Sequence, residues 1–526
     1  MKPPAVAAAI LILTALSWLV FPGHTWLQQD TQIYVPMLEH LRDPAFMERD
    51  MLATQPHLAF TLYDEVALSL RRITGSGLRE VLAAQQLITR ALGIWGLYLM
   101  AAALGLSPPA SLLAAGIVSL GATIGGPAVL SFELEPDPRG FAVPVIFLAV
   151  GLAAHGRHLA SGIAGAAAFV IHPPTTLPFW AVFLCLSPRL VSLAPLAAAG
   201  VILTVAAHFQ AGVAEPQHFF ARLTPALESL QRMRAPYSYI SEWWRAWLPH
   251  YVVFYVGSLL AYYRIRHRTP RDLRFFLLGL PLIGMLSVPI SYLLLEKLHW
   301  ALLPQGQPMR ALLFVTVIAQ FSAAAAAIFA AELQRYLEAF AWFALAYFVP
   351  VNTNVLWLPD WRRALVVALL AAAACLAARF KPALAAVAAV AFFLIPTVGG
   401  VTTHPNPHTP ELAQLSEWAR SATPRDAVFL FPDAGRALYP GVFRAEAQRA
   451  VYVDWKSGGQ INYFPRFAEQ WWSRWQQTMA ASFDPRDMER YRALGIDYVI
   501  VHPAGRLAAR SPAFQNDQYL SYKTGN

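Results

Sequence analysis

One apolar stretch decides the fold class: residues 311–331 are ALLFVTVIAQFSAAAAAIFAA, with no charged side chain. A helix of this length rises about 30 Å, which is the thickness of the hydrocarbon core of a bilayer. Twelve further apolar runs occur, at 4–22, 79–104, 109–130, 139–154, 158–171, 174–187, 190–210, 249–263, 275–295, 336–350, 362–379 and 382–400. The sequence therefore predicts a mainly α-helical, polytopic membrane bundle of about thirteen spans. The two short runs around His172 are expected to form a re-entrant hairpin or broken helices.

The composition supports a membrane protein and excludes several functions. Of the 526 residues, 57% are hydrophobic and 13% are charged, whereas soluble proteins have about 25% charged residues. The net charge of +9 comes from dispersed basic residues, so no nucleic-acid partner is expected. Cys185 and Cys375 both lie in apolar runs, which excludes a disulfide framework and makes redox chemistry an unlikely function.

Basic loops predict how the chain is oriented. Alternate loops are short and basic; they contain Arg157, Arg189, the cluster Arg264–Arg274, Arg335, and Arg379 with Lys381. Under the positive-inside rule this places the N-terminus in the cytoplasm and the C-terminal region outside it. The Arg264–Arg274 cluster also suits the anionic head groups of membrane lipids.

The chain divides into a membrane domain (1–400), a proline-rich linker (401–410) and a soluble α/β domain (411–526). Strands are expected at 427–431, 450–453 and 498–501, and helices at 411–421 and 467–479. The membrane domain has a long first outer loop, 23–78. Two amphipathic stretches in that loop, 34–46 and 58–70, predict helices that lie on the membrane surface or pack on neighbouring spans.

Asp30 is the first candidate for chemistry, because it lies about eight residues beyond the first span. A carboxylate at that position can accept a proton from an acceptor hydroxyl, or hold a divalent metal beside a phosphate. The structural alternative is a helix N-cap. Pro36 argues against the cap, because proline prefers the first turn and so predicts a helix that starts later than residue 31.

A second acidic segment contains Glu133, Glu135 and Asp137 beside an apolar run. Carboxylates there are costly unless they are solvated, paired or metal-bound. The prolines of the segment favour an extended backbone on which all three side chains point the same way. Arg139 is expected either to pair with one of them or to bind a phosphate, and the alternative is a solvated loop with an arginine pair.

Further candidates are expected to bind substrate. His172 can contact a phosphate or ligate a metal, although a structural histidine is the commoner case. Arg310, close to Gln307, suits a lipid phosphate or diphosphate, and the alternative is a side chain that reaches to the interface. Trp243 and Trp244 can stack on sugar rings, and the alternative is an interfacial aromatic belt.

In these features the chain resembles the GT-C superfamily of membrane glycosyltransferases, which use polyprenyl-phosphate sugar donors. The resemblance lies in the multi-span core, the long first outer loop with an early carboxylate, the amphipathic helices and the outer C-terminal domain. It implies that Asp30 is catalytic, that a second acidic motif falls on Glu133, Glu135 and Asp137, and that Arg310 binds the donor phosphate. The tail segment Phe443–Lys456 is similar to that of uncharacterised bacterial membrane proteins of this type.

The chain also departs from that family. Trp471 and Trp472 are followed by Ser473, so no Trp-Trp-Asp triplet occurs there, and the first-loop motif is a single Asp where several families have an Asp-Asp or Asp-Glu pair. A single Asp suits a metal-independent inverting mechanism, although a divalent Mg or Mn remains an alternative.

The resemblance implies an enzyme of the bacterial plasma membrane. It would move a sugar from a polyprenyl-phosphate or polyprenyl-diphosphate donor to a glycan, lipid or protein acceptor outside the cytoplasm, with inversion. The alternatives are a lipid or solute transporter or flippase, for which internal repeats would be expected, and a non-catalytic scaffold.

Overall fold

The computed structural model describes residues 1–55, 61–187, 190–210, 218–402, 404–479, 483–508 and 510–525. Two predicted features, the start of the second amphipathic stretch at Leu58 and the loop residue Arg189, lie outside these ranges.

The first 400 residues form helices α1 (Pro3–Leu19), α2 (Thr31–Arg42), α3 (Tyr63–Thr74), α4 (Leu78–Ala103), α5 (Pro108–Ser119), α6 (Pro138–Ala154), α7 (His158–Ile171), α8 (Pro173–Leu186), α9 (Leu190–Phe209), α10 (Pro225–Arg234), α11 (Ile240–Ile265), α12 (Arg271–Ser291), α13 (Leu303–Gly306), α14 (Leu312–Glu332), α15 (Tyr336–Val351), α16 (Trp361–Ala377) and α17 (Lys381–Leu394).

The uncharged stretch 311–331 forms most of α14, and every residue from Leu312 to Ala331 is buried. Helices α5, α11, α12 and α15 pack around it. Its one amide, Gln320, donates to the carbonyls of Ile117 (2.9 Å) and Ala346 (3.3 Å). Because these helices cover every side of it, α14 is the centre of the bundle.

The predicted bundle is mainly helical as expected, and each predicted span contains a helix in the described part of the chain. Four helical segments are long and apolar enough to cross a bilayer, namely Leu78–Ala103, Ser192–Phe209, Arg271–Lys297 and Leu303–Glu332. Seven further apolar helices are shorter, at 10–17 residues. Among these, α7 and α8 have 14 residues each and are separated at His172. Each rises about 21 Å, less than a bilayer core, which fits both predicted alternatives, a re-entrant hairpin and broken helices.

Two predicted span boundaries are wrong. The run 109–130 is helical only to Ser119, after which Thr123–Ile124 (β1) and Val129–Leu130 (β2) form an antiparallel hairpin. Gly121 ends the helix with a φ of +79°, a conformation that is unstrained only for glycine, and the apolar residues beyond it continue as strands. Helix α11 begins at Ile240, well before the predicted start at 249.

The C-terminal region is the predicted small α/β domain. Its helices are α18 (Pro410–Ala422), α19 (Tyr439–Ala447), α20 (Pro465–Thr478) and α21 (Met488–Ala493), and its strands are β3 (Val428–Leu430), β4 (Ala450–Val451), β5 (Tyr498–Val501), β6 (Phe514–Gln515) and β7 (Leu520–Lys523). The sheet order is β4-β3-β5-β7-β6. Strands β4, β3 and β5 are parallel, whereas β7 and β6 run antiparallel to their neighbours. All three predicted strands and both predicted helices are present.

Part of the first loop packs on this C-terminal domain. Val35 and Leu38 of α2 and Tyr63 of α3 share one apolar cluster with Phe429 and Phe443 of the domain. The two amphipathic helices are therefore present, but the surface that buries α2 belongs largely to the C-terminal domain. The loop and the domain together cover one end of the helical bundle.

A buried ionic cluster joins the same two regions. The Arg444 guanidinium donates to Asp50 of the first loop (2.7 Å) and to Asp454 of the domain (2.6 Å), and all three side chains are fully buried. Asp50 also accepts from the amide of Val451 (2.8 Å), and Asp454 from the amide of Lys456 (3.2 Å). Because an uncompensated buried charge costs several kcal/mol, these contacts fix the loop to the domain.

Candidate active site

A cavity of about 540 Å³ lies where the first loop, the bundle and the C-terminal domain meet. Its charged lining consists of Asp30, Asp137, Arg139, Arg234, Arg310, Arg436 and Lys456, with His172 and His404 beside them. Glu133 lies just behind this lining, on Arg139. The lining thus contains five Arg or Lys and two carboxylates. When Glu133 is counted with them, the excess is two positive charges. Such a cavity favours an anionic ligand.

Asp30 faces the cavity at the start of α2. That helix begins at Thr31, with Pro36 inside it, so the later start predicted from Pro36 is wrong. The Asp30 carboxylate nevertheless makes no capping hydrogen bond to α2. It accepts instead from the Lys456 ammonium at 2.7 Å, and 34% of its side chain remains exposed.

Charges around the cavity determine the protonation of Asp30. Burial alone would raise its pKa, but the positive charges of Lys456 and Arg139 outweigh burial and hold the pKa well below its usual range. Asp30 is therefore an anion throughout the physiological range. While it is paired with Lys456 it is a weak base, because base strength falls with pKa.

Arg139 is committed to carboxylates, as one of the two sequence alternatives predicted. Its guanidinium donates to Glu133 (2.7 Å) and to Asp137 (3.1 Å), and all three groups are buried. Asp137 also accepts from the amide of Gly140 (2.5 Å), so it caps the N-terminus of α6. Of these carboxylates, Asp137 reaches the cavity lining and Glu133 does not.

Glu135 has a different direction and different partners. It accepts from the amides of Gln28 (2.5 Å), Gln29 (2.9 Å) and Thr31 (3.0 Å), and from the hydroxyl of Thr31 (2.7 Å). The acidic segment is buried rather than solvated, and its three side chains do not point the same way. Glu135 holds the backbone on both sides of Asp30, so its observed role is to position that residue.

Arg310 and Gln307 lie in the short segment before α14. The Arg310 guanidinium stacks on Tyr237, with 5.4 Å from its carbon to the ring centre, and forms no ion pair with a described residue. Its Nε is buried and lacks a hydrogen-bond partner within the described residues, as does Gln307 Oε1. Gln307 has a φ of +42°, a rare conformation for a residue with a side chain. Because buried polar groups usually have partners, Arg310 Nε and Gln307 Oε1 can each form a hydrogen bond with a ligand.

His172 stands at the break between α7 and α8. Its Nδ1 accepts from the amide of Thr175 at 3.4 Å, so the side chain caps α8. The same ring also reaches the cavity lining. The position of His172 is therefore compatible with both alternatives, a structural histidine and a residue that contacts a ligand.

An apolar cavity of about 460 Å³ adjoins the polar one. It runs between α8, α12 and the start of α14, and its lining includes Leu177, Leu286 and Ile290, each of which is about half exposed on the outside of the bundle. The two cavities share five residues, and these are Arg139, His172, Gln307, Arg310 and Tyr463. A molecule with a long apolar chain and an anionic head would place its head at these five residues.

The two predicted sugar-stacking tryptophans do not line the cavity. Trp243 is buried against Gly126 and donates to the carbonyl of Tyr237 (3.1 Å), whereas Trp244 is exposed beside Arg245. Trp247 lines the cavity instead. It follows Trp243 by four residues and so lies on the same face of α11, and stacking of a sugar on that face stays a prediction.

The residues that the C-terminal domain contributes to the cavity were not among the predicted site residues. Arg436 follows β3, and Trp455 and Lys456 follow β4, so all three lie at the carboxyl ends of adjacent parallel strands. Ligand sites in α/β sheets are commonly found at this edge. Arg234, from the end of α10, completes this side of the cavity.

The donor set does not favour a bound metal. Among the described residues no group of three or more His, Cys, Asp and Glu side chains is arranged to hold a metal ion. Asp30 is paired with Lys456, and Glu133 and Asp137 are paired with Arg139. The cations that face the cavity are side chains of the protein itself.

Comparison with known proteins gives limited guidance. A family described only as a domain of unknown function (DUF6798) matches residues 410–478, a minor part of the chain that includes Arg436, Trp455 and Lys456. No curated protein matches the chain.

Among solved structures, the chain is similar to ArnT from Cupriavidus metallidurans, in the apo state (13% identity) and bound to undecaprenyl phosphate (14% identity). Both comparisons have a TM-score of 0.45 and cover 99% of this chain and 97% of that one. It is also similar to the arabinofuranosyltransferase AftD from Mycobacteria, with 15% identity and a TM-score of 0.40 over 95% of this chain and 35% of that one. Similarities at this level assign no activity to the chain.

Proposed function

We propose that this protein is an integral membrane glycosyltransferase that moves a sugar from a polyprenyl-phosphate or polyprenyl-diphosphate donor to an acceptor outside the cytoplasm. The observation that carries the proposal is the junction of the two cavities. A polar cavity that contains an exposed carboxylate, Asp30, opens into an apolar cavity at a cluster of basic and polar groups around Arg310.

The donor fits the junction by its chemistry. Its isoprenoid chain would lie in the apolar cavity along α8 and α12, where about half of the Leu177, Leu286 and Ile290 surface is exposed. Its phosphate would bind Arg310, whose guanidinium has no carboxylate partner among the described residues. The sugar would then project into the polar cavity, on the side of Asp30.

In the proposed reaction, the acceptor hydroxyl oxygen attacks the anomeric carbon on the face opposite the phosphate. The bond from that carbon to the phosphate oxygen breaks, and its electron pair leaves with the polyprenyl phosphate. Asp30 accepts the hydroxyl proton, and the configuration at the anomeric carbon is inverted. Holding both substrates in one cavity supplies a large part of the rate acceleration.

Two side chains control the charges of this reaction. Arg310 stabilises the negative charge that develops on the leaving phosphate. Lys456 must release Asp30 before the carboxylate can act as an effective base, because the ion pair lowers its basicity. No step of the proposal uses a metal, although Mg or Mn is the alternative that the sequence left open.

The proposed orientation places the site outside the cytoplasm of a bacterial cell, in the plasma membrane. Arg264 pairs with Glu338, and Arg268 pairs with Glu332, at one end of α11, α14 and α15. The basic loops at that end support a cytoplasmic location for it. The cavity, between the first loop and the C-terminal domain, would then face the opposite side.

The test is transfer of a radiolabelled sugar from membranes that contain polyprenyl-linked donors, with the wild-type protein and D30N at matched expression. Label that moves to a new acceptor, and is lost in D30N but not in the exposed-residue control E48Q, supports the proposal. Full transfer by D30N contradicts the assigned base. Polyprenyl phosphate binding or movement without any transfer would favour the flippase alternative.

A further inference from the structure

A second group of unpaired cations lies in the polar cavity, around Trp455. The guanidinium carbon of Arg234 is 4.5 Å from the centre of a Trp455 ring, and that of Arg436 is 4.7 Å from it. Neither arginine lines the apolar cavity, whereas Arg310 does. This group is therefore separate from the site proposed for the donor phosphate.

The two arginines are oriented but not neutralised. Arg234 donates its Nε to the carbonyl of Trp455 (2.9 Å) and its Nη2 to the carbonyl of Lys456 (3.5 Å), and neither it nor Arg436 forms an ion pair within the described residues. An arginine stacked on an indole face is fixed in plane, and its N–H edge remains available to a carboxylate or phosphate. Two such edges in a cavity with excess positive charge favour an anion.

We propose, on the basis of the proposed function, that the acceptor carries a phosphate or carboxylate group that binds Arg234 and Arg436 beside Trp455. Lys456 follows Trp455 directly, and its ammonium holds Asp30 at 2.7 Å. The negative group of the acceptor thus enters next to the cation that is paired with the base. When Lys456 turns toward that group, Asp30 is released to the acceptor hydroxyl. A neutral acceptor would leave the Lys456–Asp30 pair closed.

The test measures binding without turnover, so that it does not depend on finding the natural donor. The full-length protein in lipid nanodiscs is saturated with undecaprenyl phosphate, which occupies the donor site, and binding of radiolabelled glucose 6-phosphate is measured. The variants are R234Q and R436Q, and the second replaces an exposed side chain on which the fold does not depend. The matched control is R245Q, because Arg245 stacks on Trp244 outside the cavity.

We expect saturable binding by the wild type and R245Q, at least tenfold weaker binding by R436Q and R234Q, and competition by glucuronate but not by glucose. Equal binding by R436Q and the wild type, or competition by glucose as strong as that by glucose 6-phosphate, overturns the proposal. A different result contradicts the proposed function, namely that the anion binds as expected but no sugar is transferred.

Discussion

Asp30 and the segment Glu133–Asp137 have similar sequence signatures, because both place carboxylates just beyond an apolar run. Their environments differ. Asp30 has one ion-pair partner and faces a cavity, whereas Glu135 accepts four hydrogen bonds and is buried. Glu133 and Asp137 are occupied by Arg139.

The difference shows that the hydrogen-bond partners of a carboxylate near a membrane indicate whether its role is structural or chemical. A carboxylate that accepts four hydrogen bonds from the protein is committed to those donors, and removing it leaves buried donors without partners. A carboxylate held by a single ammonium at the edge of a cavity can exchange that partner for a substrate. We therefore expect substitutions of Asp30 to affect rate and substitutions of Glu135 to affect stability.

The largest expected effect is on the rate of D30N. Loss of a general base typically lowers the rate about 10²- to 10⁴-fold, and we expect this range for sugar transfer. The Lys456 ammonium is mostly buried, with 10% of its side chain exposed, but the asparagine oxygen can still accept a hydrogen bond from it, so the free energy of unfolding should fall by only about 1–2 kcal/mol. Initial rates and thermal unfolding of the purified protein measure the two effects. A D30N variant that unfolds readily would abolish the contrast.

E135Q is expected to show the opposite pattern. Its amide group would replace one carboxylate oxygen and place a donor against the Thr31 amide, which costs about 1–3 kcal/mol of stability. The thermal midpoint should fall, whereas E417Q, which alters an exposed pair with Arg420, should leave it unchanged. If folded E135Q lost transfer as completely as D30N while remaining stable, Glu135 would have a chemical role.

R310Q should weaken the donor interaction. A charge-assisted hydrogen bond contributes about 1.5–3 kcal/mol, so the affinity for polyprenyl phosphate should fall roughly 10- to 100-fold. The measurement is equilibrium binding of the lipid, together with KM for the donor. R335Q is the control, because Arg335 is exposed at the other end of α14. Unchanged lipid affinity in R310Q would move the phosphate away from the junction of the cavities.

K456Q should give the smallest effect, a displacement of the pH profile. Lys456 lowers the pKa of Asp30, and burial raises it, so removing the ammonium should raise that pKa. The base is active when deprotonated. The acidic limb of the kcat/KM profile, which reports the free enzyme, should therefore lie at higher pH in K456Q than in the wild type. An acidic limb at the same pH in both proteins would show that the pair does not control the base.

The sequence predicted most of the fold because the relevant signals are local. Uninterrupted apolar runs located the helices, and short β-branched runs located β3, β4 and β5. The hairpin after Ser119 was missed because hydrophobicity alone does not distinguish a buried strand from the end of a helix. The positive φ of Gly121 marks the end of the helix and the start of the hairpin, and hydrophobicity does not reveal it.

The site was harder to predict because its parts are distant in sequence. Asp30 and Lys456 are separated by 426 positions, and no spacing rule connects them. Arg234 and Arg436 likewise appear as ordinary surface charges until the C-terminal domain is placed against the bundle. Trp247 could have been chosen over Trp244 only with the register of α11 known.

The buried cluster of Asp50, Arg444 and Asp454 has a consequence for how the protein is made. Asp50 is synthesised some four hundred residues before its partners, and until Arg444 arrives it has no counter-charge. Lys456, which pairs with Asp30, lies two residues beyond Asp454 and donates its amide to that carboxylate. A partly synthesised chain therefore contains Asp30 without Lys456, and the lining of the cavity is complete only after the C-terminal domain has been made.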